Sequence, residues 1–131
     1  MAEPPPVPMN TTILLLVSDP VVRSVLKETL EREGYNVAAS GDLGKAVEQL
    51  QDQTPDLFIT RSYVESLPGY EAAMYLRTKC HGLKTLMVDG WLDDERLRYR
   101  TSVQGFGVFP KPYSAAELLA AVKDALTKPQ G

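Results

Sequence analysis

Short runs of consecutive apolar residues alternate along this chain with longer stretches in which apolar side chains return every three or four positions. The runs are Ile13 to Val17, Tyr35 to Ala39, Leu57 to Thr60, Thr85 to Val88 and Gly107 to Pro110. A run that is apolar at nearly every position suits a strand buried on both faces, and helical stretches between such strands suit the crossovers of a parallel sheet. The pattern therefore predicts five strands and five helices in three layers. Asp19 is placed to cap the first helix and Pro20 to occupy its first turn, after which Val22, Leu26 and Leu30 recur until Gly34. The second helix follows Asp42 and carries Leu43, Val47 and Leu50 on one side. The third starts near Gly69, with Ala72, Ala73 and Leu76 toward the sheet and Met74 and Tyr75 outward. From about Leu92 to Gln104 the apolar face is thin, only Leu92, Tyr99 and Val103 with Arg96 among them, so the fourth helix is expected to dock most weakly. The fifth starts near Ser114, spaced from Glu117 as in a capping box, and has Leu118, Val122 and Leu126 as its inner stripe.

Composition narrows this to one domain with short tails. The chain has 131 residues, enough for a single substantial core. Four of its ten prolines fall between Met1 and Asn10, so residues 1–11 are expected to form an extended tail, residues 12–127 the domain, and residues 128–131 a second short tail. A net charge of -3 supplies no basic field, which argues against nucleic acid as a partner; Arg96, Arg98 and Arg100 are offset by Asp93, Asp94 and Glu95. The single cysteine, Cys80, cannot form an internal disulfide and suits a reducing compartment. No apolar stretch is long enough to span a membrane and no secretory signal is evident, so the expected location is cytoplasmic. Phosphate-cradling glycine motifs are absent, since Gly105-Phe106-Gly107 precedes a strand. Cys80 and His81 are adjacent and lack a third group to orient them. The expectation is that the protein is not an enzyme.

Three separated fragments carry a resemblance. Ile13 to Pro20 followed by Arg23, then Pro55 to Arg61 with Pro68-Gly69-Tyr70-Glu71, then Phe109-Pro110-Lys111-Pro112-Tyr113, stand in an order and spacing similar to the receiver domains of bacterial response regulators. The resemblance covers roughly residues 12 to 127. It implies a flavodoxin-like (CheY-like) α/β fold: a doubly wound five-stranded parallel sheet of order 2-1-3-4-5 between helical layers. It also implies a phosphorylation pocket at the carboxyl ends of the strands, where open sheets of this kind place their ligand crevice.

The chain departs from the family at that pocket. The family's phosphoacceptor aspartate lies eight residues before the glycine of the second fragment, a position held here by Arg61. Val17 and Ser18 replace the acidic pair that precedes Asp19, Asp89 stands where a Thr or Ser is usual, and Lys111 is retained. Arginine has no acceptor atom and stays protonated, so it cannot be the nucleophile. Mg2+ seeks oxygen ligands, and Val17 has none while Ser18 has only a hydroxyl, so no cofactor and no Mg2+ are expected. Formal charges on Arg61, Asp89 and Lys111 sum to +1, against -2 for the family's pocket, and Asp89 is expected to pair with Arg61, Lys111 or both. The family's relay needs a hydroxyl at position 89 and an aromatic three residues before the lysine; these are Asp89 and Val108.

The expected function is that of an atypical receiver in two-component signalling, binding a protein partner without being phosphorylated. The alternatives are a receiver phosphorylated at a displaced aspartate, Asp19 or Asp89, and a small-ligand binder using the crevice. The partner would be a histidine kinase, another signalling protein or a second copy of the chain. Trp91, Tyr99, Phe109 and Tyr113 are candidate interface anchors, because aromatics of this kind dominate interface energetics.

Overall fold

The computed structural model describes residues 11–61, 63–64, 66–89, 107–110 and 115–127, with the backbone alone at 89 and 107–110. Its central sheet is parallel and has five strands: β1 (Thr12–Leu16), β2 (Asn36–Ser40), β3 (Leu57–Thr60), β6 (Lys84–Asp89) and β7 (Gly107–Pro110), ordered β2-β1-β3-β6-β7. This is the expected 2-1-3-4-5 order. A two-residue hairpin that the periodicity did not foretell, β4 (Tyr63–Val64) with β5 (Leu67–Pro68), intervenes between β3 and the next helix. The described helices are α1 (Pro20–Glu31), α2 (Leu43–Asp52), α3 (Gly69–Lys79) and α4 (Ala115–Thr127), the last being the fifth of the predicted set. The predicted fourth helix, and Ser114 of the expected capping box, lie outside the described residues.

Alternation of side chains along each strand divides the core in two. Ile13, Leu15, Val17, Leu57, Ile59, Leu86 and Val88 share one face with Leu26 and Leu30 of α1 and Leu118 and Val122 of α4. Leu14, Leu16, Phe58 and Met87 share the other with Ala46 of α2 and Ala72, Ala73 and Leu76 of α3. Both faces are apolar because both are covered. Phe58 is fully buried, a contribution of about 2–3 kcal/mol relative to an exposed ring.

Local chemistry sets the element ends. The Asp19 side chain accepts from the Val21 and Val22 amides at 2.9 and 3.3 Å, and Pro20 follows at the first helical position. Asp42 accepts from the Lys45 amide at 2.8 Å and so starts α2. After α1 the chain turns at Gly34, whose φ of 93° is left-handed and favours glycine. That turn leaves the Tyr35 amide bonded to the Leu30 carbonyl, so β2 begins at Asn36, one residue later than the apolar run suggests. Thr11, placed by composition in the tail, is buried, and its carbonyl accepts from Asn36. Asp56 and Thr12 exchange two bonds at the start of β3 and β1, and Lys84 Nζ donates to the Leu126 carbonyl at 2.6 Å near the end of α4.

Candidate functional site

Parallel register brings the carboxyl ends of the inner strands to one edge. Leu16 is level with Thr60, Thr60 with Met87, and Asp89 with Pro110. The residues that follow, Val17 after β1 and Arg61 after β3, therefore stand beside each other at the edge where β6 ends on Asp89. Lys111 follows β7 in sequence but lies outside the described residues. The Asp89 side chain does too, and with it the expected ion pair.

Val17 is turned into the core shared with α1 and α4 rather than toward the crevice, and its amide donates to the Ser40 carbonyl at 3.1 Å. Ser18 is half-buried, and Asp19 is exposed with its carboxylate engaged as the α1 cap. Arg61 is half-buried immediately beyond β3. Two features flank its backbone. Thr60 is fully buried and its Oγ1 donates to the Leu16 carbonyl at 2.8 Å, tying the ends of β3 and β1 together. Gly69, the first residue of α3, lies so near that a Cβ there would sit 2.1 Å from the Arg61 carbonyl oxygen, 3.0 Å from Met87 Cε and 3.1 Å from Thr60 Cγ2.

Arg23 is part of this edge in a way its place in a sequence motif did not reveal. From the first turn of α1 it reaches back so that Nη1 donates to the carbonyls of Val17 at 2.8 Å and, more weakly, Ser18 at 3.4 Å. The same nitrogen lies 2.6 Å from where a Cβ on Gly41 would be. Its guanidinium thus bridges the exits of β1 and β2 and fixes a positive charge beside the positions where the family pattern has carboxylates. The available signal was an arginine one turn into a capped helix, which has the length to fold back but names no acceptor.

Among the described residues no three His, Cys, Asp or Glu side chains are grouped to hold a metal ion. Cys80 is half-buried at the carboxyl end of α3, toward the opposite edge of the sheet from Arg61. Burial, then the charge of Asp56, push its thiol pKa up, which leaves less thiolate for nucleophilic chemistry. His81 beside it is exposed.

Of the expected interface anchors, Trp91, Tyr99 and Tyr113 lie outside the described residues, as do the side chains of Phe109 and of Val108 in the relay. Val108 is level with Met87 in the backbone ladder. On α3, Met74 and Tyr75 do point outward, 40% and 44% exposed, with Lys79 Nζ 5.3 Å from the Tyr75 ring centre. The most exposed large apolar side chains among the described residues are instead Val21 and Val25 of α1, at 70% and 59%. No described helix is long and apolar enough to cross a membrane.

Residues 13–123 match the family model described as the response regulator receiver domain. The sensor kinase CckA of Brucella abortus is 29% identical over 122 residues, covering 91% of this chain and 13% of the kinase. The chemotaxis protein CheY of Halobacterium salinarum is 25% identical over 120 residues, covering 91% and 99%. Against two transcriptional regulatory proteins and the response regulator MprA, which it also matches, the chain spans about half of their length. The crystal structure of the response regulator TrrA of Thermotoga maritima, in complex with Mg2+ and BeF, superposes with a TM-score of 0.74 at 24% identity, covering 88% of this chain and 98% of that one.

Proposed function

The chain belongs to the response regulator receiver domain family, and we propose that within two-component signalling it is an atypical member that binds a protein partner without being phosphorylated. Receiver domains are typically non-enzymatic signalling modules that interact with histidine kinases and other signalling proteins, and a region similar to this chain lies within a sensor kinase. The partner is accordingly a histidine kinase or another signalling protein; a second copy of the chain is the alternative.

One observation carries the reading: Arg61 occupies the end of β3, packed against Gly69, with Val17 turned into the core at the end of β1. Phosphoryl transfer to a receiver needs a carboxylate nucleophile and a divalent cation to neutralise the phosphoryl oxygens. Arg61 supplies no acceptor. Val17 supplies no ligand, and the Arg23 guanidinium already holds the carbonyls of Val17 and Ser18. This donor set does not fit Mg2+, which prefers carboxylates and waters in octahedral array. Of the two displaced acceptors, Asp19 is engaged as the α1 cap. At the relay, Asp89 cannot donate as a hydroxyl would, and Val108 has no ring to reorient.

Incubation with acetyl phosphate and Mg2+, followed by intact mass measurement, tests this. The unmodified mass is expected. A phosphate adduct mapped to Asp19 or Asp89 would overturn the reading in favour of a displaced phosphorylation site.

A further inference from the structure

The central sheet ends on β2, which pairs with β1 on one side and, among the described residues, with no strand on the other. The Asn36 amide donates to the Thr11 carbonyl at 2.9 Å and the Ser40 carbonyl accepts from the Val17 amide at 3.1 Å, so the even-numbered residues of β2 turn their backbone groups toward β1. Those of Val37 and Ala39 therefore face outward along the edge. Edge strands are ordinarily blunted by lysine, proline or a bulge. Asn36–Ser40 contains no proline and no charged residue, and its two outward-bonding residues carry small, half-buried side chains. One side chain reaches this edge. Gln49 of α2 donates from Nε2 to the Ala39 carbonyl at 3.2 Å, while its own Oε1 is buried and accepts no hydrogen bond among the described residues. A buried acceptor left unmade is costly, and the Ala39 carbonyl keeps a second lone pair.

We propose that the β2 edge is a self-association surface, to which β2 of a second copy adds antiparallel about a two-fold axis near Ala38, making the two sheets continuous. The edge is self-complementary. Antiparallel alignment centred there sets Val37 of one copy opposite Ala39 of the other; each such pair exchanges both backbone bonds, and a valine packs beside an alanine on the α1 face. The flank formed by α2 is matched as well. Lys45 lies four residues before Gln49 and Asp52 three after it, on the same side of the helix, and both are exposed. The bond from Gln49 to Ala39 puts that side of α2 beside the axis, where two-fold symmetry sets Lys45 of one copy toward Asp52 of the other. The orphaned Oε1 is answered too, because Gln49 of the second copy has a second Nε2 hydrogen to give. Residues 4–8 of this chain are not the occupant, since all but Val7 are proline, which has no N–H for a ladder. A strand of another protein could bond to the same backbone groups, but nothing fixes charges in it to oppose both Lys45 and Asp52. Such a dimer adds to the interaction-module reading without resting on it, since strand pairing needs neither phosphorylation nor its absence.

The test is sedimentation equilibrium of the full chain over a range of concentrations, with amide hydrogen exchange read at the lowest and the highest. A reversible dimer is expected, in which the Val37 and Ala39 amides gain protection as it forms while the Asn36 amide, already bonded to Thr11, changes little. Val37→Lys places a charge on the edge and Lys45→Glu sets like charges against Asp52 of the second copy; each should raise the dimer dissociation constant roughly tenfold or more. Lys45→Glu combined with Asp52→Lys reverses both members of the pair and should restore the dimer, a rescue that a folding defect cannot imitate. Lys45 and Asp52 are exposed, so these variants should melt with the parent. A monomer at every concentration overturns the second copy as occupant and leaves the edge to a strand of another protein. A dimer indifferent to Val37→Lys and Lys45→Glu, or one that protects amides away from β2, overturns the surface. The acetyl phosphate experiment is unaffected by any of these results, so the two readings fail separately.

Discussion

Replacing Gly69 by alanine should destabilise the domain by about 2 kcal/mol, although alanine is ordinarily the better residue in a helix. The added Cβ would lie 2.1 Å from the Arg61 carbonyl oxygen, whereas real Cβ contacts essentially never fall below 3.0 Å, so the two segments must separate by at least 0.9 Å. Neither side yields easily. Arg61 continues β3, in which Leu57, Phe58, Ile59 and Thr60 are all fully buried, and Gly69 opens α3, which is anchored by the fully buried Ala72, Ala73 and Leu76. Overpacking a close-packed core costs roughly 1–3 kcal/mol, and the upper part of that range applies where backbone meets backbone. The intrinsic helix gain of alanine over glycine returns at most about 1 kcal/mol. The remaining loss of about 2 kcal/mol corresponds to a fall in melting temperature of about 7 °C for a domain of this size. Urea unfolding should show a lower midpoint at unchanged slope. A variant within about 0.5 kcal/mol of the parent, or more stable than it, would refute the claim that backbone approach pins Arg61 in place.

Substitutions at three further positions probe the same framework. Asp19→Ala removes the acceptor for two α1 amides and should cost about 1 kcal/mol in urea unfolding, largely recovered in Asp19→Ser. Thr60→Val keeps the shape of a fully buried side chain but deletes its 2.8 Å bond to the Leu16 carbonyl, with an expected loss of about 1 kcal/mol measured the same way. Tyr35 is buried, and burial followed by the charge of Glu33 raises its phenol pKa above the ordinary 10.0. A raised folded pKa means that the neutral form is favoured by folding; this stabilisation is present below the unfolded pKa and is lost as pH rises through the folded one. Stability should therefore fall more steeply above pH 10 in the parent than in Tyr35→Phe, and parallel alkaline profiles would contradict it.

The amino-acid sequence by itself determined the layer structure and most element starts. Runs such as Leu57 to Ile59 are apolar at every position, which leaves both sheet faces to be covered, and Asp19-Pro20 and Asp42 act on amides two or three residues away. Such signals are local, so they survive without knowledge of the fold. Ala46 was missed as a core residue because a small side chain carries little periodic signal, yet it is fully buried beside Leu14, Leu16 and Phe58. The identity of residue 61 was equally legible, being a matter of spacing. What stands across from that residue was decided by tertiary structure alone: the Gly69 approach, the Thr60 bond to a carbonyl 44 positions away, and the fold-back of Arg23 onto Val17 and Gly41. Periodicity fixes the face a side chain takes, but distances between segments remote in sequence follow only from the packing of the whole sheet against its helices.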